Sequence, residues 1–404
     1  MRMDVIEPSV DTYKYPKQPV HHCELTLAHV IDVRKRCKHL CQMKRLRICV
    51  STLLLVGLLT EWMSSPSLSA GPPAVIQVST EKRDRLTEFF KTYVGLSDDQ
   101  IRDIQSGKAL AKTIDSPTAD EVFVFGGVYV RSTPEAYLKM ASDIDALKKL
   151  PNYLAIRKFS DPPQLSDLDG FSLEDDDVKA LQKCREGKCE VQLPTDAMDE
   201  FRAKVNWSGP NATDEANRIA KGLVLEALKR YQEGGNAGLG VYRDKNDPAA
   251  VDQAFRSLVS RAKAMPVYLP ELHDYLLNYP KAKIEHIQSE FYWEKVNFGL
   301  KPTIRLLQAA LYRGADYSGP EYALAVKQLY ASHYFHTALD LTICIRDDDG
   351  KQPGMYLVTL KGSQQAGLTG LKGGIVRKVA VDKTRSSLER ALATMKVALE
   401  ARTN

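Results

Sequence analysis

Two aromatic clusters stand in the C-terminal half of this 404-residue chain, Phe291-Tyr-Trp293-Glu294 and Tyr330-Ala-Ser332-His333-Tyr334-Phe335. Alternate residues of a strand share a face, so Phe291 and Trp293 point together, as do Tyr330, Ser332 and Tyr334. Aromatics with polar tips suit a pocket for a largely apolar ligand. With Tyr129 from an earlier strand, Phe291, Trp293, Tyr330 and Tyr334 form the candidate ligand-binding set; plain core packing is the competing reading. Glu290 and Glu294 flank the first cluster as an acid/base option, against which stands a reading as surface carboxylates. His333 and His336 are three apart, which on a strand turns them to opposite faces, so no metal site is expected of them. Glu174 to Asp177 is a run of four acids without the alternating ligands and closing glutamate of a calcium loop; acids at a helix N-terminus account for it. The sequence has no phosphate-cradling glycine loop, G-x-S-x-G elbow or H-E-x-x-H, and neither catalytic residues nor a cofactor are assigned. Cys184 and Cys189 frame a C-x4-C turn containing Gly187, which in an oxidising compartment reads as a disulfide, with two unpaired thiols as the alternative.

These side chains need elements to hold them. Residues 121–130 alternate as a strand apolar on both faces, with Gly126 and Gly127 marking a bulge or a close backbone approach. Thr133-Pro134-Glu135 then suits the start of a helix whose stripe is Tyr137, Met140, Ala141, Ile144 and Leu147. Residues 82–94 read as an amphipathic helix, Ser97-x-x-Gln100 as a capping box, and 109–114 as a strand returning through Asp115-Ser-Pro117 as a hairpin. Residues 153–159 alternate like a strand, and 190–193 look strand-like. The stretch 195–280 is mostly helical and reads as an insertion. From 284 onward the pattern is strand after strand: 284–296, 303–312, 321–345, 354–362 and 374–381, with Asp349-Gly350 as a hairpin turn. Ser386-x-x-Glu389 caps a last helix with Leu388, Leu392, Met395 and Leu399 on its buried face.

The first 69 residues are of another kind. A basic stretch from Met43 to Arg47, an apolar run of about twelve residues and small residues at Ser67 and Ser69 make a signal peptide over 43–69. Residues 1–42 are a non-translated or disordered extension, and 76–404 a single domain. A signal anchor is the rival, although the run falls short of the roughly 20 residues a spanning helix needs. Residues 1–69 hold ten Lys or Arg and six Asp or Glu, so of the chain's net +5 only +1 remains beyond them. No nucleic-acid surface is implied.

The unit 122–147 resembles the opening of the helix-grip proteins, the START-like and polyketide-cyclase-like superfamily, and 372–400 resembles its closing strand and helix. The resemblance implies an α+β fold: a curved antiparallel sheet gripping a long C-terminal helix around a cavity for a hydrophobic molecule. It assigns no catalytic residue. The expected function is an exported, periplasmic or extracellular, non-catalytic binder or carrier of an apolar small molecule or lipid, with peripheral membrane contact compatible. Two classes stay open beside it: an exported hydrolase or cyclase using Glu290, Glu294, His333 or His336, and a cell-envelope structural protein.

Overall fold

A computed structural model describes residues 82–314, 320, 322–347, 354–368 and 370–403. The signal-peptide reading and the Asp349-Gly350 turn lie outside the described residues. The fold is α+β. Eight strands form one open antiparallel sheet: β1 (Leu110–Ile114), β2 (Glu121–Val130), β3 (Tyr153–Lys158), β6 (Ile287–Val296), β7 (Thr303–Arg313), β8 (Tyr322–Ala331), β9 (Phe335–Asp347) and β10 (Gly354–Gln365). A two-residue ladder, β4 (Val241–Tyr242) with β5 (Ala249–Ala250), stands apart from it. The order across the sheet is β1-β2-β10-β9-β8-β7-β6-β3.

Strand β2 stands next to the edge strand β1, and both its faces are covered. Phe125 joins a core beneath residues 82–94 and the helices Val251–Arg261 and Pro270–Asn278. Val122, Val124, Val128 and Val130 face the other way, onto the C-terminal helix. A second part of the first face, with Trp293, Ile304, Leu306 and Leu329, is buried under the helices Asp175–Gln182, Thr195–Lys204 and Ala212–Gly234. Most of the expected insertion is thus helical and roofs one face of the sheet.

Local signals worked where they were redundant. The Ser97–Gln100 capping box is formed in both directions, and Thr133 caps the helix Pro134–Ala141. That helix is shorter than its stripe suggests, because Asp143 accepts from the Ala146 amide and starts a separate turn, Ile144–Leu147. Gly126 pairs in unbroken register with Thr359, so it marks a close approach and not a bulge.

Three expectations fail. The stretch 321–345 is two strands, separated by a turn through Ser332, His333 and Tyr334. Residues 190–193 form no strand: the chain bends at 190 and 191 and is irregular at 192 and 193. Residues 374–381 are helical, part of one 34-residue helix, Gly370–Thr403, so Ser386 is an interior residue and no cap. Val381, Leu388, Leu392 and Leu399 are its buried seam; a seam spaced by seven and four residues favours the helix over the β-propensity of Ile375, Val376 and Val379.

Candidate functional site

The resemblance implies a hollow between the sheet and the last helix. The structure fills that place: Tyr137, Met355, Leu357, Leu388, Leu392 and Leu399 pack together there. The largest cavity among those described is on the opposite face, about 310 Å³, between residues 89–94, the end of the helix Val251–Arg261 and the sheet. Such a volume stands at the lower end of the range for small-molecule sites, about 300–1,000 Å³. Its walls are apolar, chiefly Phe89, Tyr93, Phe123, Leu258, Leu339 and Leu341.

The floor depends on a missing side chain. Gly362 is paired with Phe123 across β10 and β2, and a Cβ there would stand 2.7 Å from the Phe123 ring. A smaller cavity of about 50 Å³ shares Phe89, Ala264, Met265, Leu341 and Leu360 with the large one. The segment 82–94 therefore lies over two adjoining apolar hollows.

The lining also carries charged groups. Asp115, Arg261 and Lys263 line the large cavity and reach solvent. Arg261 stands 3.5 Å from the carboxylate of Glu121, which is wholly buried. Ser116 and Ser257 also donate to that carboxylate, at 2.6 and 3.4 Å. A buried carboxylate with an arginine and two hydroxyls is a satisfied anchor, and it fixes the direction of Arg261.

The five aromatic candidates do not meet in one site. Tyr129 packs on Tyr356, ring centroids 5.1 Å apart, at the other end of β2. Trp293 is sealed in the core, its indole N–H donating to the Asp167 carbonyl at 2.8 Å, and Phe291 packs on Tyr231 and Tyr279. Tyr330 lines a separate cavity of about 90 Å³ beneath the insertion, with Tyr242 and Leu306. Tyr334 sits in the turn after β8 with φ of 66°, its hydroxyl accepting from the Lys301 amide at 3.0 Å. The shared face expected for Tyr330, Ser332 and Tyr334 is lost because the strand ends at Ala331.

The residues weighed for acid/base chemistry each have structural partners. Glu294 pairs with Arg305, and Glu290 with Lys158 and Tyr292. Burial pushes the His336 imidazole down. His333 lies with Nδ1 3.1 Å from the Glu190 carbonyl and Nε2 3.1 Å from Asp177 Oδ2. Both neighbours accept, so the ring satisfies both only with hydrogen on each nitrogen. Lys301 Nζ lies 2.6 Å from the other oxygen of Asp177. Burial pushes the Asp177 carboxyl up, but His333 and Lys301 outweigh it and hold it below the usual range. The acid run therefore hid one buried member, and its signal was the placement of Asp177, Val178 and Leu181 on the buried side of a helix.

A second group escaped the sequence reading. Lys327 is fully buried in mid-sheet, its amine 3.1 Å from the Tyr231 hydroxyl, in contact with Asn236 Oδ1, and 3.9 Å from the centroid of Phe255. Burial drives its pKa well below the ordinary lysine value. In the sequence it is one lysine in an alternating strand, with nothing to set it apart.

Cys184 and Cys189 are disulfide-bonded, their Cα atoms 4.6 Å apart. Among the described residues no helix is long and apolar enough to cross a membrane. Compared with known protein families and with curated proteins, the chain matches none.

Proposed function

We propose that this protein is an exported, non-catalytic binder or carrier of an apolar small molecule or lipid, held in the 310 Å³ cavity between residues 89–94 and the sheet. The observation that carries the reading is the lining of that cavity: mostly apolar, with Asp115, Arg261 and Lys263 as charged residues that also reach water. An amphipathic occupant fits this lining, its tail against Phe123 and Leu341 and its polar group beside Arg261. Export is supported by the leader-like pattern of residues 43–69 and by the bonded pair Cys184 and Cys189.

The test is native mass spectrometry of the protein isolated from its own host. A stoichiometric apolar adduct, released into organic solvent and absent after delipidation, is the expected result. Protein that comes through empty, and stays empty after incubation with fatty acids and lysolipids, sinks the reading.

A further inference from the structure

The helix Gly370–Thr403 shows a face that the sheet does not use. Its buried seam, Val381, Leu388, Leu392 and Leu399, holds it against β1 and β2. On the opposite side, at helical spacing, stand Ile375, Val376, Val379, Lys383, Arg390 and Val397. Ile375 is 72% exposed and Val397 69% exposed. The same alternation that suggested a strand at 374–381 places these aliphatics in water once the segment is wound into a helix.

Charge says what would cover them. Residues 370–403 carry eight Lys or Arg against three Asp or Glu, whereas residues 70–404 as a whole carry 46 against 45. The excess positive charge of the exported chain is therefore concentrated on this one helix. Aliphatics interleaved with Lys383 and Arg390 match an anionic bilayer surface, where the apolar side enters the headgroup boundary and the cations meet phosphate. A second copy of the chain is a poorer match, because pairing two such faces opposes cation to cation.

We propose that this face of the C-terminal helix docks the protein on an anionic membrane. Arg377 donates from Nε to the Ala119 carbonyl at 3.0 Å and from Nη2 to the Glu121 carbonyl at 3.4 Å. The turn that carries Ile375, Val376 and Val379 is thus tied to the start of β2. The docking surface stands whether or not the cavity holds a lipid.

The experiment is flotation of the protein, as isolated from its host, with vesicles of phosphatidylcholine alone and with 30% phosphatidylglycerol. The expected result is partition onto the anionic vesicles only, weakened by salt. Each cation near the surface is worth roughly fivefold in partition, so K383E with R390E lowers it at least tenfold. The triple variant I375S, V376S, V379S does likewise, and both variants keep the parent melting temperature because every altered side chain is exposed. Equal partition onto neutral and anionic vesicles, no partition at all, or partition untouched by either variant overturns the proposal. So does sedimentation showing a dimer that the triple variant dissolves, which would make a second copy the occupant.

Discussion

A Cβ on Gly126 would stand 2.6 Å from Leu392 Cδ1 and 2.8 Å from Leu388 Cδ2. The last helix thus rests on β2 at a place where the strand has no side chain. Such contacts leave no room for a methyl group without displacing the Leu388 and Leu392 side chains. Gly126→Ala is expected to destabilise the protein by about 1–3 kcal/mol, the usual cost of overpacking. Chemical denaturation measures it. A midpoint within error of the parent would mean that Leu388 and Leu392 are not packed tightly over Gly126.

The Asp177 group makes stability depend on acid. Its folded pKa is depressed, so the contribution is present above the unfolded value of about 3.9 and is lost as the pH falls through the folded value. Asp177→Asn is expected to cost about 3 kcal/mol at pH 7, since it leaves His333 without its anion in the interior. The gap between parent and variant should close as melts are run from pH 5 down to pH 2. A gap that stays constant over that range contradicts the assignment.

Lys327 has the same sign in a higher pH window. Its folded pKa is depressed from the ordinary lysine value, so between the two values the unfolded chain binds more protons and stability rises with pH. Compared with Lys327→Met, which does not titrate, the parent should gain as the pH goes from 7 to 10. The limiting slope is about 1.4 kcal/mol per pH unit. Parallel pH profiles for the two proteins would show that the amine stays charged in the fold.

The Cys184–Cys189 bond closes a loop with a sequence separation of only 5. Loop-closure entropy for so short a span predicts a contribution of about 2 kcal/mol. The double replacement by serine should lower stability by that amount, and peptide mapping of the protein isolated from its host should recover the two cysteines linked. Recovery of both as free thiols would contradict the oxidised state and weaken the case for export.

Much of this architecture is legible in the sequence because several signals coincide. In β2 the alternation, the hairpin turn before it and the Thr133-Pro134-Glu135 start after it agree, and the element forms as read. Residues 374–381 mislead because Ile375, Val376 and Val379 have β-propensity, while the seam that decides the matter runs on to Leu399. The cavity was not legible at all. Phe89, Phe123, Leu258 and Leu341 come from four distant parts of the chain, and only the topology brings them together. The aromatic clusters stand out by composition, but packing uses them: Trp293 is core and the half-buried Phe291 packs against it.

The central claim is that the cavity beneath residues 89–94 takes an apolar ligand, and one titration tests it most directly. A fluorescent fatty-acid probe is titrated into delipidated parent protein and into Ala262→Trp, which places an indole in the cavity wall from a partly buried loop position. The account predicts saturable one-to-one binding to the parent and at least tenfold weaker binding to the variant at unchanged melting temperature, since a filled pocket loses its ligand contacts. Equal binding by the two proteins, or no saturable binding by the parent, would contradict it.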